Sequence, residues 1–289
     1  MRRTMLYLPG NNPNMLTRGY LFGSDGIILD LEDAVAMVEK DTARILVSKY
    51  LQQGEFGDCY VSVRINGIDT EYWKDDLAAI VPNKRLDGIR VPKVEDENTV
   101  KIIDEELSRL EEQNGLPVGK LSLHCLLETA HGIWNAYEIA KASPRIEAII
   151  PGVEDLRADL KTNRSDDSTE LEWARRMLVF AARAAGVDPL DTVFSRVTDD
   201  AGLRKETQFI KQLGFAGKSI IHPNQIAIIH DVFNPTEQEI AKAQKIIAAA
   251  KEAAARGQGA VSVDGKMVDV PVVKRAEYIL VRAGLSEVK

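Results

Sequence analysis

The sequence predicts an α/β protein, a (β/α)₈ TIM barrel followed by a C-terminal helical extension. Eight short strand-like runs begin near residues 4, 26, 60, 88, 121, 146, 189 and 217, and a helical pattern follows each one. The chain has 289 residues, is 45% hydrophobic and has no break in composition, which favours one domain of barrel size over two. Charged residues stand where several runs end, and a barrel carries its site at the carboxyl ends of its strands. We therefore expect the barrel over residues 1–233 and the extension over residues 234–289.

The first four βα units are predicted from short apolar runs that stop at turn residues. A loop containing Pro9 and Gly10 follows the first run, and a helix is expected to begin near Pro13. In the fourth helix, apolar residues recur three or four positions apart and Asn114-Gly115 closes the helix. The predicted strands are Thr4–Leu8, Gly26–Leu29, Tyr60–Ile65 and Gly88–Val91. The helices expected after the last three of them are Glu39–Gln53, Glu71–Val81 and Thr99–Gln113.

The second half of the barrel begins with a βαβ unit. Two apolar runs, Leu121–Leu127 and Ile146–Ile150, are joined by a segment with apolar residues at roughly helical spacing. The rest of the repeat is predicted as a helix over Thr169–Ala185, a strand over Pro189–Val193, a helix over Asp199–Leu213 and a strand over Lys218–Ile221.

The extension does not follow the βα repeat. Thr236 and Glu239 form a capping-box pattern that opens an Ala-rich helix over Ile240–Arg256. A polar turn is expected over Gly257–Lys266, and a second helix over Pro271–Val281 has one apolar face. We expect that face to pack on the barrel or on another subunit.

Carboxylates follow both strands of the βαβ unit. Glu128 stands one residue past the first strand, and Glu154 and Asp155 follow the Pro-Gly that stops the second. Parallel strands point the same way, so these groups converge at one rim, where one acid holds a proton, an Arg intervenes or a cation bridges them. Oxygen ligands without a nearby His or Cys cluster favour Mg²⁺, which takes one or two protein carboxylates. The alternative is that Glu128 and Asp155 cap the following helices.

Two basic residues at strand ends are candidates for binding a carboxylate substrate. Arg64 lies at the end of the third strand, where its guanidinium could bind a carboxylate with two hydrogen bonds. Its alternative role is an ion pair with the acidic cluster at Asp30, Glu32 and Asp33. Lys93 follows the fourth strand, and its alternative role is a solvated lysine at the barrel mouth.

Composition limits the partners of this chain. The formal net charge is −7, from 37 basic and 44 acidic residues, so nucleic acid is not expected as a partner. A negatively charged protein that binds an anionic substrate needs local arginine or metal. Cys59 and Cys125 lie in apolar runs and are expected to be buried thiols. No apolar run reaches membrane-spanning length and none forms a signal segment, so the sequence predicts a cytoplasmic protein.

Motifs along nearly the whole chain resemble one enzyme family. They are RRTMLYLPGNNPNML, GIILDLEDAV, VRIN, GIRVPK, LLETAHGI, IIPGVEDLRADL, GFAGKSIIHPNQI and GKMVDVPVV. Together they are similar to the citrate lyase β-chain family and, more widely, to the acyl-thioester lyases of the HpcH/HpaI aldolase superfamily that include malyl-CoA and citramalyl-CoA lyases.

The resemblance implies a Mg²⁺-dependent lyase that cleaves a citryl thioester to oxaloacetate and an acetyl thioester. It implies Glu128 and Asp155 as metal ligands, Arg64 as the clamp on a substrate carboxylate, and Asp269 as an acid/base that acts in a neighbouring subunit. It places the Pro9-Gly10 loop, Lys93 and the Lys218–Gln225 segment, including Lys218, around the substrate pocket. The implied assembly is a homotrimer or higher oligomer that works with transferase (α) and acyl-carrier (γ) subunits.

Several points stay open at the level of sequence. The thioester carrier is either a phosphopantetheine-type prosthetic group on a carrier protein or free CoA, and the metal is Mg²⁺ or Mn²⁺. The substrate of a related lyase would be a citramalyl-CoA or malyl-CoA thioester. A non-catalytic scaffold or metabolite-binding subunit is the remote alternative.

Overall fold

The structure is a computed structural model that describes residues 2–257 and 259–285. Eight parallel strands close into a barrel in chain order, and the first strand pairs with both the second and the eighth. This closed parallel barrel confirms the predicted fold class. The strands are β1 Thr4–Pro9, β2 Gly26–Asp30, β3 Tyr60–Arg64, β4 Gly88–Val91, β5 Ser122–Leu127, β6 Ile146–Pro151, β7 Asp188–Asp191 and β8 Gly217–Ile220.

Helices follow the strands of the barrel. The connection between β5 and β6, expected as one amphipathic segment, consists of two short helices that meet at Asn135. A short helix also begins directly after β6, at the position of the predicted acidic group. The helices up to residue 233 are α1 Pro13–Arg18, α2 Lys40–Gln53, α3 Trp73–Ile80, α4 Glu97–Gln113, α5 Ala130–Trp134, α6 Ala136–Ala140, α7 Val153–Asp159, α8 Glu172–Ala185, α9 Asp200–Leu213 and α10 Asn224–Phe233.

The barrel interior is filled by apolar side chains from alternate strand positions. Met5, Ile28, Leu126, Ile150 and Leu190 form a buried cluster inside the barrel. A filled parallel barrel has both faces of its sheet buried, so its strand ends are the surfaces where polar groups are exposed. The sequence pattern of bare apolar runs that end in charged residues follows from this architecture.

An ion-pair network supports the short pairing between β7 and β8. Asp191 and Lys218 are partners in the strand register, and Lys218 Nζ lies 2.8 Å from Asp191 Oδ2. Arg175 on α8 donates to the same carboxylate from the helix layer, with Nε 3.0 Å from Oδ1. Burial favours the neutral acid, but the charges of Arg175 and Lys218 lower the pKa of Asp191 below its ordinary value. The network therefore joins two strands and a helix through a fully buried carboxylate.

The chain divides into two units, Arg2–His230 and a C-terminal unit that begins at Asp231. In the C-terminal unit, α11 Glu237–Ala255 begins with the predicted capping box at Thr236 and Glu239. The helix α12 Val270–Arg282 follows, and Ala243, Ile246 and Ala276 lie in a shared apolar cluster. The division into a barrel over residues 1–233 and an extension over residues 234–289 that packs on the barrel or on another subunit stays a prediction.

A β-hairpin stands where the sequence predicts only a polar turn. Strands β9 Val261–Val263 and β10 Lys266–Val268 pair antiparallel around Asp264 and Gly265. Both turn residues have positive φ, +51° and +73°, as a two-residue Asp-Gly hairpin requires. Within the described residues, no helix has the length and apolar character needed to cross a membrane.

Candidate active site

A cleft of about 350 Å³ opens at the carboxyl ends of the barrel strands. Its position is the one that the barrel architecture predicts for a functional site. The cleft is lined by charged residues at the rim and by apolar and hydroxyl side chains toward the barrel. The rim includes five carboxylates and one arginine, namely Asp30, Asp33, Glu128, Glu154, Asp155 and Arg64.

Arg64 is the centre of an acidic cluster in this cleft. Its Nε and Nη2 donate to the two oxygens of Asp30 at 2.7 and 2.6 Å, a bidentate pair. Its Nη1 lies 2.7 Å from Glu32 Oε2 and 3.1 Å from Asp33 Oδ2. The ion pair with the acidic cluster, the alternative role considered for Arg64, is thus the arrangement present in the structure.

Glu32 is the acid of this cluster that most resists ionisation. Its side chain is buried, and burial, opposed by Arg64, raises its pKa to about 8 together with the charges of Asp33, Glu128 and Asp30. A carboxyl group with this pKa carries a proton at neutral pH. Arg64 is therefore balanced mainly by Asp30, which it binds through two nitrogens, and more weakly by the exposed Asp33.

The adjacent acids Glu154 and Asp155 have different surroundings. Glu154 Oε1 accepts from Arg157 Nη1 at 2.9 Å and from Arg164 Nη2 at 2.8 Å. Asp155 has neither a hydrogen bond nor an ion pair with any residue that the structure describes. Both acids lie in the first turn of α7, but the two arginines pair only with Glu154.

Glu128 is a buried carboxylate of the cleft that forms no ion pair with a described residue. Its side chain is 3% exposed, and Oε2 accepts one hydrogen bond, from the backbone N of Lys93 at 3.0 Å. Burial and the nearby charge of Asp155 raise the pKa of Glu128 to about 7. After the arginines have been assigned, Glu128 and Asp155 are the two rim carboxylates left without a cation.

Gly152 makes room for the Glu128 side chain. A Cβ atom at position 152 would lie 2.3 Å from Glu128 Cγ and 2.5 Å from Oε1, inside any possible contact distance. The Pro-Gly sequence after β6, interpreted from sequence as a strand stop, thus also provides the space for this carboxylate. Because Glu128 packs closely against Gly152, its carboxylate lies next to the loop that leads to Asp155.

The donor set of Glu128 and Asp155 fits a hard divalent cation. No group of three or more His, Cys, Asp and Glu ligands occurs within residues 2–257 and 259–285. Mg²⁺ does not need one, because it takes one or two carboxylates and fills its other positions with water or substrate oxygens. The helix-capping alternative does not apply to Glu128, since Thr129 is the N-cap of α5 and accepts from Gly132 N at 3.1 Å.

The other residues expected around the pocket are placed as follows. Pro9 is the last residue of β1, and Gly10 N donates to Asp30 O at 2.8 Å. A Cβ at Gly10 would lie 2.5 Å from the same oxygen, so this glycine lets the β1 loop pack against β2. Lys93 is exposed and has φ +51°, a left-handed conformation that is uncommon outside glycine. Burial lowers its pKa, but Asp69, Glu32 and Glu128 raise it above the ordinary value.

Four predicted pocket residues of the barrel are not among the residues that line the cleft, namely Pro9, Gly10, Lys93 and Lys218. Lys218 is fully buried, and its ammonium donates to Asp191 and, at 2.7 Å, to Glu206 Oε1. The structure does not place Lys218 in the cleft lining, and its ammonium is held by Asp191 on β7 and Glu206 on α9. Asp269 belongs to the C-terminal unit, where it is the N-cap of α12 and accepts from Val272 N at 3.3 Å.

Tyr7 and Arg90 were missed in the sequence, whereas Ser219 belongs to the segment expected at the pocket. Tyr7 and Ser219 line the cleft, and Arg90 on β4 contacts both of them. The signal that could have found Tyr7 is the strand period of two, because Met5 in the same strand belongs to the barrel interior and Tyr7 packs against that cluster.

Comparison with known proteins identifies the family to which this chain is similar. A sequence profile described as HpcH/HpaI aldolase/citrate lyase matches residues 3–223. The chain is 46% identical over 280 residues to citrate lyase subunit beta from Leuconostoc mesenteroides subsp. cremoris, covering 97% of this chain and 92% of that one. It is 34% identical over 300 residues to L-malyl-CoA/beta-methylmalyl-CoA lyase from Cereibacter sphaeroides, covering 97% and 94%.

Solved structures with related folds contain magnesium. Protein CitE from Mycobacterium tuberculosis, in complex with magnesium, acetoacetate and coenzyme A, is 30% identical with a TM-score of 0.79 and 98% coverage of both chains. The citrate lyase beta subunit from M. tuberculosis, in complex with oxaloacetate and magnesium, is 28% identical with a TM-score of 0.68, covering 80% of this chain and 96% of that one.

Proposed function

Because the chain belongs to the HpcH/HpaI aldolase/citrate lyase family, we propose that it is a carbon–carbon lyase that cleaves a citryl thioester to oxaloacetate and an acetyl thioester. The observation that carries this proposal is the pair of rim carboxylates, Glu128 and Asp155, that has no cationic partner among the described residues. The substrate is an acyl thioester, and the metal is Mg²⁺. The chain acts as a β subunit of citrate lyase.

Glu128 and Asp155 are proposed to hold the metal. Bound Mg²⁺ supplies positive charge that lowers the pKa of the substrate hydroxyl and neutralises its neighbouring carboxylate. The backbone N of Lys93 and the space left by Gly152 hold Glu128 in place. Cleavage removes the hydroxyl proton, breaks the bond between the carbinol carbon and the acetyl arm, and adds a proton to the acetyl carbon.

Arg64 is proposed to bind a carboxylate of the substrate, with the Pro9-Gly10 loop and Lys93 around it. In the structure, its guanidinium is held in one orientation by Asp30, so it does not have to be ordered on binding. Asp33 is exposed and contributes a weaker, longer ion pair. A substrate carboxylate that displaces Asp33 from Nη1 would keep the bidentate Asp30 pair intact.

Asp269 is proposed to act as acid/base in the site of a neighbouring subunit. A carboxylate exchanges a proton with substrate only when it lies within hydrogen-bond reach, so a shared site makes activity depend on assembly. We propose a homotrimer or higher oligomer, with transferase and acyl-carrier subunits as partners and the acyl group on a phosphopantetheine-type carrier or on CoA.

The shared site has a direct test. Glu128→Gln and Asp269→Asn are purified separately, then unfolded and refolded together. Mixed oligomers should recover part of the wild-type activity, because some sites combine an intact metal pair with an intact Asp269. Recovery should be absent when each variant is refolded alone. Mixed oligomers without recovered activity would show that Asp269 does not act between subunits.

The reaction is tested by a coupled oxaloacetate assay with citryl thioesters on CoA and on carrier protein, with and without Mg²⁺. Wild type should release oxaloacetate only with Mg²⁺, and Glu128→Gln should abolish this release. Full activity of Glu128→Gln would refute the assignment of the metal pair. Absence of turnover with every thioester, even with transferase and carrier subunits present, would indicate a non-catalytic subunit.

A malyl-CoA or citramalyl-CoA thioester is the second candidate substrate. The observation in its favour is the 34% identity to a malyl-CoA lyase over 97% of the chain. The same assay run for glyoxylate and pyruvate separates the candidates, since each thioester gives a different keto product.

The cytoplasmic location expected from the sequence also stays a prediction, which cell fractionation tests.

A further inference from the structure

Arg90 is a buried guanidinium without a carboxylate partner. It lies on β4, its side chain is 0% exposed, and no acid within residues 2–257 and 259–285 forms an ion pair with it. Its Nε and Nη2 have no hydrogen-bond partner among those residues. Its register neighbour on β5, His124, has its pKa lowered to about 4, so it is neutral and supplies no negative charge. Burying an unpaired charge is costly, which calls for a functional reason.

The two hydrogen bonds of Arg90 lead to the cleft. Nη1 donates to Tyr7 Oη at 3.2 Å and to Ser219 Oγ at 2.9 Å, and both of these hydroxyl groups line the cleft. Arginine has donors only, so each hydroxyl must accept from Arg90 and keeps its own proton for another acceptor. Neither hydroxyl has such an acceptor among the described residues. Two O–H donors are thus left for a group that enters the cleft.

The uncompensated positive charge of Arg90 makes the hydroxyl groups of Tyr7 and Ser219 better donors to an anion than to a neutral group. Arg64 is already compensated by Asp30 and Asp33, whereas the charge of Arg90 is not. Both guanidinium carbons lie near the Tyr7 ring, at 4.9 Å for Arg64 and 5.5 Å for Arg90. A charge in the barrel core is weakly screened, so it acts on a group hydrogen-bonded to Tyr7 and Ser219 more strongly than a rim charge does.

We propose that Tyr7 Oη and Ser219 Oγ, oriented by Arg90, bind the distal carboxylate of the substrate, the CH₂COO⁻ arm that oxaloacetate retains after cleavage. This inference rests on the proposed lyase function and deepens it by naming a specificity subsite. A citramalyl thioester carries a methyl group at this place, and a malyl thioester carries hydrogen. The subsite therefore selects citryl over both. Arg90 is a positioning residue, since it acts through the two hydroxyl groups.

Binding of the keto products tests the subsite without turnover. Oxaloacetate and pyruvate differ only in the distal carboxylate, and their Kd values are measured by calorimetry on the full chain with saturating Mg²⁺. Wild type should bind oxaloacetate more tightly. A hydrogen bond to a charged group is strong enough that Tyr7→Phe should weaken oxaloacetate about 10- to 100-fold while changing pyruvate less than about threefold. Ser219→Ala should act in the same direction.

Tyr60→Phe is the matched control. Tyr60 lies at the amino end of β3, where its hydroxyl bonds to Ser122 and Arg2 lies over its ring at 5.1 Å. It is a barrel tyrosine next to an arginine, but it does not line the cleft. Tyr60→Phe should leave both Kd values unchanged. Equal weakening of oxaloacetate and pyruvate by Tyr7→Phe would overturn the proposal, as would wild-type binding that does not distinguish the two acids.

Arg90→Met separates a positioning role from a structural one. Removing an uncompensated buried charge should leave the thermal midpoint unchanged or higher, while oxaloacetate loses at least as much affinity as in Tyr7→Phe. A lower midpoint with unchanged selectivity would assign Arg90 to the scaffold and overturn its part in the subsite. The ratio of kcat/KM for citryl-CoA to that for citramalyl-CoA should fall in parallel. If wild type turns over no thioester, the lyase function fails, whereas the binding selectivity still decides the subsite.

Discussion

Glu154 and Asp155 are consecutive acids on one helical turn, yet their electrostatic surroundings are opposite. Two arginines hold Glu154, and no described residue pairs with Asp155. The sequence places both acids at the end of the sixth strand, and the resemblance implies Asp155 as the ligand. The arginine pairing supplies a physical reason for that choice. That pairing depends in part on Arg164, which is ten residues after Glu154 in the chain. No spacing rule could predict its position.

This difference predicts different outcomes for two conservative variants. Loss of a residue that only supports a metal ligand typically lowers metal affinity about 10- to 100-fold. Asp155→Asn changes a proposed ligand itself, so the Mg²⁺ affinity should fall by at least as much. Glu154→Gln should leave the Mg²⁺ affinity close to wild type, since its carboxylate is occupied by arginines. The measurement is the rise in thermal midpoint with increasing Mg²⁺, with EDTA-treated protein as the baseline. Equal losses in the two variants would contradict the assignment.

His124 gives the barrel a pH-dependent stability. Its Nε2 lies 2.9 Å from Arg2 Nη1, so it accepts a hydrogen bond and the ring is neutral. Burial lowers its pKa from 6.5 to about 4, against the opposing effect of Glu147 and with the help of Arg90 and Arg2. The unfolded chain then binds a proton between these two values and the folded chain does not. The stability that depends on a neutral His124 is therefore fully present above about pH 6.5, and it is lost as the pH falls toward 4.

The loss attributable to His124 is on the order of 3 kcal/mol between pH 7 and pH 4, at about 1.4 kcal/mol per pKa unit. His124→Gln should flatten this part of the profile. Urea unfolding at several pH values measures it. His131, which is exposed, provides the control, and His131→Gln should leave the profile unchanged. A parallel profile in His124→Gln would assign the acid sensitivity to other groups.

At the scale of single elements, the sequence predicts strands better than the connections between them. Short apolar runs bounded by turn residues identify all eight barrel strands to within a few residues, because burial on both faces makes most of their positions apolar. The buried polar residues within the strands, such as Arg90 and Lys218, are exceptions to that pattern. The hairpin of β9 and β10 is missed since its strands have only three residues each, too few to show an alternating pattern. The Asp264-Gly265 pair was the available signal.

The loop between β6 and α7 illustrates what a single glycine contributes. Gly152→Ala places a methyl group where Glu128 lies, so the carboxylate must move. We expect loss of Mg²⁺ binding and of lyase activity with the barrel still folded, which circular dichroism and Mg²⁺ thermal shifts measure together. Gly259→Ala, where a Cβ would meet nothing within 4 Å, is the control and should bind Mg²⁺ as wild type does.

At the scale of the whole molecule, barrel closure depends on the seam between β7 and β8, where two residue pairs are in register. One of those pairs is Asp191 with Lys218, which Arg175 joins from the helix layer. The barrel itself could be predicted because the repeat of strand and helix is regular. The buried network could not, since its members are 16 and 27 residues from Asp191 along the chain.

Lys218→Met tests whether this lysine is structural or binds substrate. Breaking a buried pair by removing one partner typically costs about 3–5 kcal/mol, so the free energy of unfolding should fall by that order. KM for the citryl thioester, measured where the variant is folded, should stay near wild type. Lys205→Met, which changes an exposed lysine on α9, is the control and should change neither quantity. A raised KM with unchanged stability would restore Lys218 to the substrate pocket.

Lys93 offers a practical consequence of the main-chain contact that anchors Glu128. The left-handed backbone at this position donates the amide that fixes the acid, while the lysine side chain extends outward into solvent. Residues that tolerate positive φ, such as Asn or Gly, should preserve that anchor. Asn or Gly at position 93 would therefore remove the lysine charge while Glu128 stays in place, so the part of that charge in substrate binding can be separated from the part of the main chain.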